Sequence, residues 1–66
     1  MRIQLNGEPY EAASGLTVMD LIQTLDLGPG RIAVAVNGEV VPGSEHDTRR
    51  LSPDDEVELI HAVAGG

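Results

Sequence analysis

The sequence predicts an α+β domain in which a mixed β-sheet carries one helix across one face. Three observations predict it. Polar and apolar residues alternate, or apolar ones face one way at every second position, in residues 2–5, 32–36 and 56–61, the period of half-buried strands. Val18, Leu21, Ile22 and Leu25 fall at i, i+3, i+4 and i+7, which makes the apolar stripe of a helix. Asn6-Gly7 and Asn37-Gly38 each stand between extended stretches, and Asn-Gly suits a two-residue hairpin turn because both of its positions need positive φ.

The elements follow in order. Residues 2–5 run out as a strand, turn at Asn6-Gly7 and return over 8–12. Ser14-Gly15 breaks the strand. Thr17 then caps a helix: its hydroxyl suits the Asp20 amide, and Asp20 reaches back in a short capping box, with Leu16 and Leu21 spaced as a hydrophobic staple. Leu27-Gly28-Pro29-Gly30 stops the helix, Gly28 near the C′ position and Pro29 barring continuation. Residues 32–36 form the strongest strand, with Val34 and Val36 on one side and Ala33 and Ala35 on the other. Residues 39–41 return after Asn37-Gly38, residues 42–50 read as irregular loop with one helical turn, and Ser52-Pro53-Asp54-Asp55 is a tight turn with Pro at its second position. The last strand, 56–61, points Val57 and Leu59 inward. The helix stripe needs a sheet to cover it, and Ile3, Leu5, Val34, Val36, Val57 and Leu59 supply one. The order β-β-α-β-β-β is that of a β-grasp, the ubiquitin-like fold, in which the first and last strands usually lie side by side at the centre.

Sixty-six residues make one domain, expected here as a body over 1–62 and a flexible tail over 63–66. A chain of this size buries only about 60% of the surface its unfolded form exposes, which argues against a deep enclosed active site. The absence of cysteine excludes disulfides, a thiolate nucleophile and a zinc knuckle. No apolar run is long enough for a signal peptide or a membrane span, so a cytoplasmic protein is expected. Net charge is −7, and all four basic residues are arginines. Nucleic acid is thereby disfavoured, since neutralising phosphates needs a basic patch. An acidic surface favours solubility and steers the chain toward basic faces of protein partners.

Catalytic constellations are missing. His46 sits in a loop and His61 at a strand end, neither at a short spacing from a serine or a second metal ligand. Glu56 and Glu58 share a strand face and read as an exposed acidic strip. Gly28-Pro29-Gly30 lacks the lysine and Ser/Thr of a phosphate loop. No catalytic residue, metal site or bound cofactor is therefore expected.

The end of the chain reads differently. At about 7% usage, two terminal glycines arise by chance in roughly one chain of two hundred. Val63, Ala64, Gly65 and Gly66 extend beyond the last strand, and four residues reach roughly 13 Å. Glycine has no side chain to block a narrow channel, so Gly65-Gly66 is suited to thread an enzyme cleft and present its carboxylate to a nucleotide. A carboxylate is a poor electrophile, and an anhydride with phosphate makes it a good one. Ile60 falls on the face opposite Val57 and Leu59, with the small Ala33 and Ala35 beside it, an expected partner-binding strip next to the tail.

These residues, taken in order, resemble the ThiS family, the sulfur carriers of bacterial thiamine biosynthesis. The resemblance rests on Ile3-Gln4-Leu5-Asn6-Gly7, Leu16-Thr17-Val18 with Leu21, Ala35-Val36-Asn37-Gly38, Val40-Val41-Pro42, residues 51–55 before Glu56-Val57, and Ala64-Gly65-Gly66. It spans the whole length. The chain departs from the family's pattern where Gly43 follows Pro42 in place of a frequent arginine, and where His46 stands near a tryptophan place, which bears on loop packing and on the partner served. The resemblance implies that a ThiF-like adenylyltransferase, using ATP and magnesium, adenylylates Gly66. Sulfur from a cysteine-derived persulfide, as a cysteine desulfurase supplies, then makes the thiocarboxylate. A ThiG-like thiazole synthase takes that sulfur into the thiazole. The chain is then a carrier acted on by enzymes. Three other readings stay open: a sulfur carrier for molybdopterin or cysteine synthesis, a ubiquitin-like modifier of other proteins, and a binding module whose tail does no chemistry.

Overall fold

The structure, a computed structural model, describes residues 1–27 and 30–62. Its first hairpin pairs β1 (Arg2–Leu5) with β2 (Glu8–Glu11), Leu5 opposite Glu8. Asn6 and Gly7 turn with φ of 50° and 82°, the doubly positive geometry that Asn-Gly tolerates. The helix α1 (Val18–Leu25) follows. Thr17 Oγ1 accepts the Asp20 N–H at 3.1 Å, and the Thr17 N–H donates to Asp20 Oδ2 at 3.2 Å, closing the expected capping box. Val18 and Leu21 are fully buried, Ile22 and Leu25 pack against them from the helix edge, and Leu16 packs on the same core.

The helix stop is a correction. The helix ends at Leu25, and Asp26 takes the left-handed conformation at φ 50° while its N–H donates to the Gln23 carbonyl. Aspartate is one of the few side chains that visit this region readily. The cap expected near Gly28 therefore forms earlier, on Asp26; Gly28 and Pro29 lie outside the described residues.

β3 (Arg31–Val36) and β4 (Glu39–Val41) form the second hairpin, with Asn37 and Gly38 at φ 52° and 83°. A short 3₁₀ turn, Gly43–Glu45, interrupts the next loop. At the tight turn, Asp55 N–H reaches the Ser52 carbonyl at 3.2 Å and Asp54 has φ 68°, the positive angle a type II turn requires after proline. β5 (Glu56–Ala62) is the last strand among the described residues, one residue longer than its alternation predicts.

The five strands lie in the order β2-β1-β5-β3-β4. β5 runs parallel to β1 and antiparallel to β3, so the first and last strands do lie side by side at the centre. The core comprises Ile3, Val18, Leu21, Val34, Val36, Val41, Leu51 and Val57. Leu5 and Leu59, expected inward, do pack against it and are half-buried. Val41 and Leu51 join it from the edge strand and the loop.

That loop is docked through backbone groups. The first N–H groups of a helix have no partner within it. Here Val18 N–H donates to the Arg49 carbonyl at 3.0 Å, Met19 N–H to the His46 carbonyl at 2.7 Å, and Leu51 N–H ties back to Leu16 at 2.8 Å. His46, read from the sequence as a loop residue, is buried at 7% exposure. Its Nε2 lies 3.0 Å from the Val41 carbonyl, an acceptor only, so Nε2 carries the proton. The loop bearing Gly43 and His46 is thus packed against the helix start in this chain. Among the described residues, no helix is long and apolar enough to cross a membrane.

Candidate functional site: the outer face of the sheet and the end of β5

Side chains alternate across a strand, so the register decides what faces away from the helix. Val34, Val36 and Val57 point into the core. Ala33, Ala35, Glu58 and Ile60 therefore point outward, with Ala33 opposite Ile60 and Ala35 opposite Glu58. Ile60 is 65% exposed, a large apolar residue open to solvent on the face foreseen for it. Together with Val34 and Val40 these residues line a shallow hollow of about 90 Å³. Three expected site residues are thus brought together: Ile60, Ala33 and Ala35.

Val40, not among the expected residues, lines the same hollow. It is 78% exposed and pairs with Ala35 across the hairpin. The signal was present, since a two-residue turn at Asn37-Gly38 forces Val36 opposite Glu39 and Ala35 opposite Val40. The patch is apolar at its centre, with Glu58 on its rim. A wider concavity of about 490 Å³ lies toward the two turns, lined by Gln4, Gly7, Asn37, Gly38, Glu56, Val57 and Glu58. Its carboxylates, Glu56 and Glu58, make the acidic strip read from the sequence.

The two turn asparagines hold β5 from either side. Asn37 Oδ1 accepts the Glu56 N–H at 2.9 Å while its Nδ2 donates to Asp55 Oδ1 at 3.0 Å. Asn6 Oδ1 accepts the Leu59 N–H at 2.8 Å. Beyond Leu59 the strand continues along β3, through Ile60 opposite Ala33, His61 opposite Ile32 and Ala62 opposite Arg31. Ala62 is exposed and is the last described residue. Val63, Ala64, Gly65 and Gly66, the expected reactive tail, lie outside the described residues. Among the described residues, no three His, Cys, Asp or Glu side chains group to hold a metal ion.

Comparison with known proteins sets this geometry in a family. The model of the ThiS family matches residues 3–66. The chain belongs to the ThiS family. It is 30% identical over 66 residues to the sulfur carrier protein ThiS of Escherichia coli (strain K12), covering the whole of both chains. It is also 38% identical to a thiazole synthase of Magnetococcus marinus, all of this chain aligning with 20% of that protein, so the chain spans about a fifth of that relative's length. The crystal structure of the thiamine biosynthesis protein ThiS from Geobacter metallireducens superposes with a TM-score of 0.84 at 29% identity, covering 100% of both chains. The β-grasp fold expected from the element order is that of this ThiS-family neighbour, and the family places the chain with the sulfur carriers of thiamine biosynthesis.

Proposed function

We propose that this ThiS-family chain carries sulfur as a thiocarboxylate on Gly66 and gives it up for thiazole formation. In the first step a Gly66 carboxylate oxygen attacks the α-phosphorus of ATP held with magnesium by a ThiF-like adenylyltransferase, and pyrophosphate leaves. The acyl adenylate is then attacked by the terminal sulfur of a persulfide supplied through a cysteine desulfurase, and AMP leaves. A second thiol breaks the sulfur–sulfur bond, so that a disulfide forms elsewhere and the thiocarboxylate remains on Gly66. A ThiG-like thiazole synthase takes that sulfur, an oxygen from the acceptor substrate or from water replaces it on the Gly66 carbonyl carbon, and the chain returns with its carboxylate restored. All catalytic groups and cofactors belong to the partners, and the reaction belongs in the cytoplasm.

The observation that carries this reading is the family match through Gly65 and Gly66. The match to part of a thiazole synthase supports that enzyme as the consumer. The hollow around Ile60, on the strand that leads to the tail, supports docking of the outer face on the activating enzyme. The net charge of −7 suits a partner surface with a basic rim. The deciding experiment is intact-mass measurement of the chain incubated with its activating enzyme, ATP and a sulfur donor. The expected product is a chain ending at Gly66 with one oxygen exchanged for sulfur. An unchanged mass with an activator proven competent on another carrier would overturn the proposal.

Docking through the outer face makes a separate prediction. Ile60→Glu places a charge where an apolar anchor should enter the partner, and a hot-spot loss of about 1.4–2 kcal/mol raises KM for the carrier about 10- to 30-fold. Ile60 is 65% exposed, so the fold is expected to be unaffected and kcat to stay near that of the unaltered chain. Steady-state adenylylation kinetics at varied carrier concentration reads both constants. An unchanged KM would remove Ile60 from the docking surface.

A further inference from the structure

We infer that Gly30 is a positioning residue that sets the direction in which the chain leaves β5, an inference that rests on the tail chemistry proposed above. Gly30 has φ 129°, a conformation side chains with L chirality rarely adopt. Its open side faces the end of β5. A Cβ there would lie 2.6 Å from the Ala62 carbonyl oxygen and 2.8 Å from His61 Nε2. The bare backbone of Gly30 therefore packs directly against the last two residues of β5.

This contact matters because of how β5 is held. The described ladder between β1 and β5 covers Gln4 opposite Glu56 and Leu5 opposite Val57. Asn6 Oδ1 takes the N–H of Leu59, and the described strand pairing beyond that point is with β3. Ala62 pairs with Arg31, the residue next to Gly30. The last residues of β5 thus overhang the first hairpin, steered by the start of β3. The atom that a methyl at position 30 would meet first is a backbone oxygen, which cannot rotate away as a side-chain tip can. Ala62 or the backbone at Gly30 must move. Gly66 stands four residues beyond Ala62, a reach of at most roughly 13 Å, so the position of Ala62 sets how far the terminal carboxylate can be presented. A misplacement of 1 Å at a reacting atom costs about 10²-fold in rate.

The consequence is a split that neither unfolding nor loss of docking would produce. Gly30→Ala leaves Ile60, Ala33, Ala35 and Val40 in place, so KM for the carrier should stay within about twofold while kcat falls about 10- to 100-fold. Destabilisation alone would lower the folded concentration and raise the apparent KM instead. Gly38→Ala is the control: its φ is 83°, yet nothing lies within 4 Å of a Cβ there, and it sits at the other end of β5. It should cost some stability and leave kcat unchanged.

The experiment measures adenylylation kinetics for the full-length chain and both variants, with amide chemical shifts of each and nuclear Overhauser contacts in the unaltered chain. Expected are contacts between the Gly30 α-protons and the His61 ring, an Ala62 amide shifted in Gly30→Ala but not in Gly38→Ala, and the fall in kcat confined to Gly30→Ala. An unmoved Ala62 amide, an unchanged kcat in Gly30→Ala, or an equal fall in Gly38→Ala would overturn the inference. Should Gly30→Ala not fold, the Overhauser contacts decide, and their absence overturns it. If the unaltered chain is never adenylylated, the proposed function falls, while the shifts still read whether position 30 steers Ala62.

Discussion

With one alanine added after Gly66, thiocarboxylate formation is expected to fall below detection while the thermal unfolding midpoint stays where it was. In the proposed function the group that meets the nucleotide is the carboxylate of Gly66, a residue with no side chain. An added alanine moves that carboxylate one residue, roughly 3.3–3.6 Å, beyond its place and puts a methyl where a narrow cleft admits only backbone. Effective molarities of aligned reactants contribute about 7–11 kcal/mol to such steps, and this contribution vanishes once the reacting atom overshoots. Stability should be untouched because, among the described residues, the buried core runs from Ile3 to Val57. Docking should also persist, since Ile60, Ala33, Ala35 and Val40 belong to the sheet. The extended chain should therefore act as a competitive inhibitor of adenylylation of the unaltered one, with an inhibition constant near the unaltered chain's KM. Intact mass, calorimetry and an inhibition assay measure the three properties. Sulfur on the extended chain, with the added alanine still present by mass, would remove Gly66 from the chemistry. Loss of inhibition together with loss of activity would show that the tail rather than the sheet supplies the binding.

Which parts of this arrangement were legible in the sequence follows from how local each determinant is. The turns at Asn6-Gly7 and Asn37-Gly38 depend on two residues each, and the four φ values are all positive as that pair demands. The capping box depends on Thr17 and Asp20, three residues apart, and forms as expected. Ile60 was placed on the outer face by strand parity alone. The determinants that depend on distant parts of the chain were harder. Leu51 is buried because its loop is tied to Leu16 and Val18 by backbone hydrogen bonds, which no periodicity announces. His46 is buried for the same reason, its ring satisfied by the Val41 carbonyl from the edge strand. The helix stop went to Asp26 because aspartate tolerates the left-handed region well enough to pre-empt the glycine two residues on. Gly30 looked like punctuation after Pro29, and its role shows only once β5 is seen to end against it.

Leu21→Ala is expected to lower the unfolding midpoint by about 8–40 °C, the largest stability effect among these substitutions. Leu21 has no exposed surface and is the largest side chain that α1 buries fully against the sheet. Removing a buried leucine to alanine costs about 2–5 kcal/mol, through lost transfer free energy and the cavity left behind. At roughly 0.05–0.15 kcal/mol per residue, a domain of 66 residues has about 3–10 kcal/mol in all. The substitution therefore removes a large part of the total, and each kcal/mol moves the midpoint of so small a domain by about 4–8 °C. The site has little means of collapsing to fill the gap. Val18 is rigid at χ1, and its backbone is tied to Arg49, while Met19 is tied to His46. The functional signature should differ from those of the outer-face and position-30 variants. Loss of folded carrier raises the apparent KM in proportion to the unfolded fraction, and lowering the assay temperature well below the new midpoint restores it, whereas the KM of Ile60→Glu stays high at every temperature. A midpoint lowered by less than about 5 °C would show that α1 is not the keystone of the core. A KM that did not recover on cooling would show that the helix contributes to binding directly rather than by holding the sheet in shape.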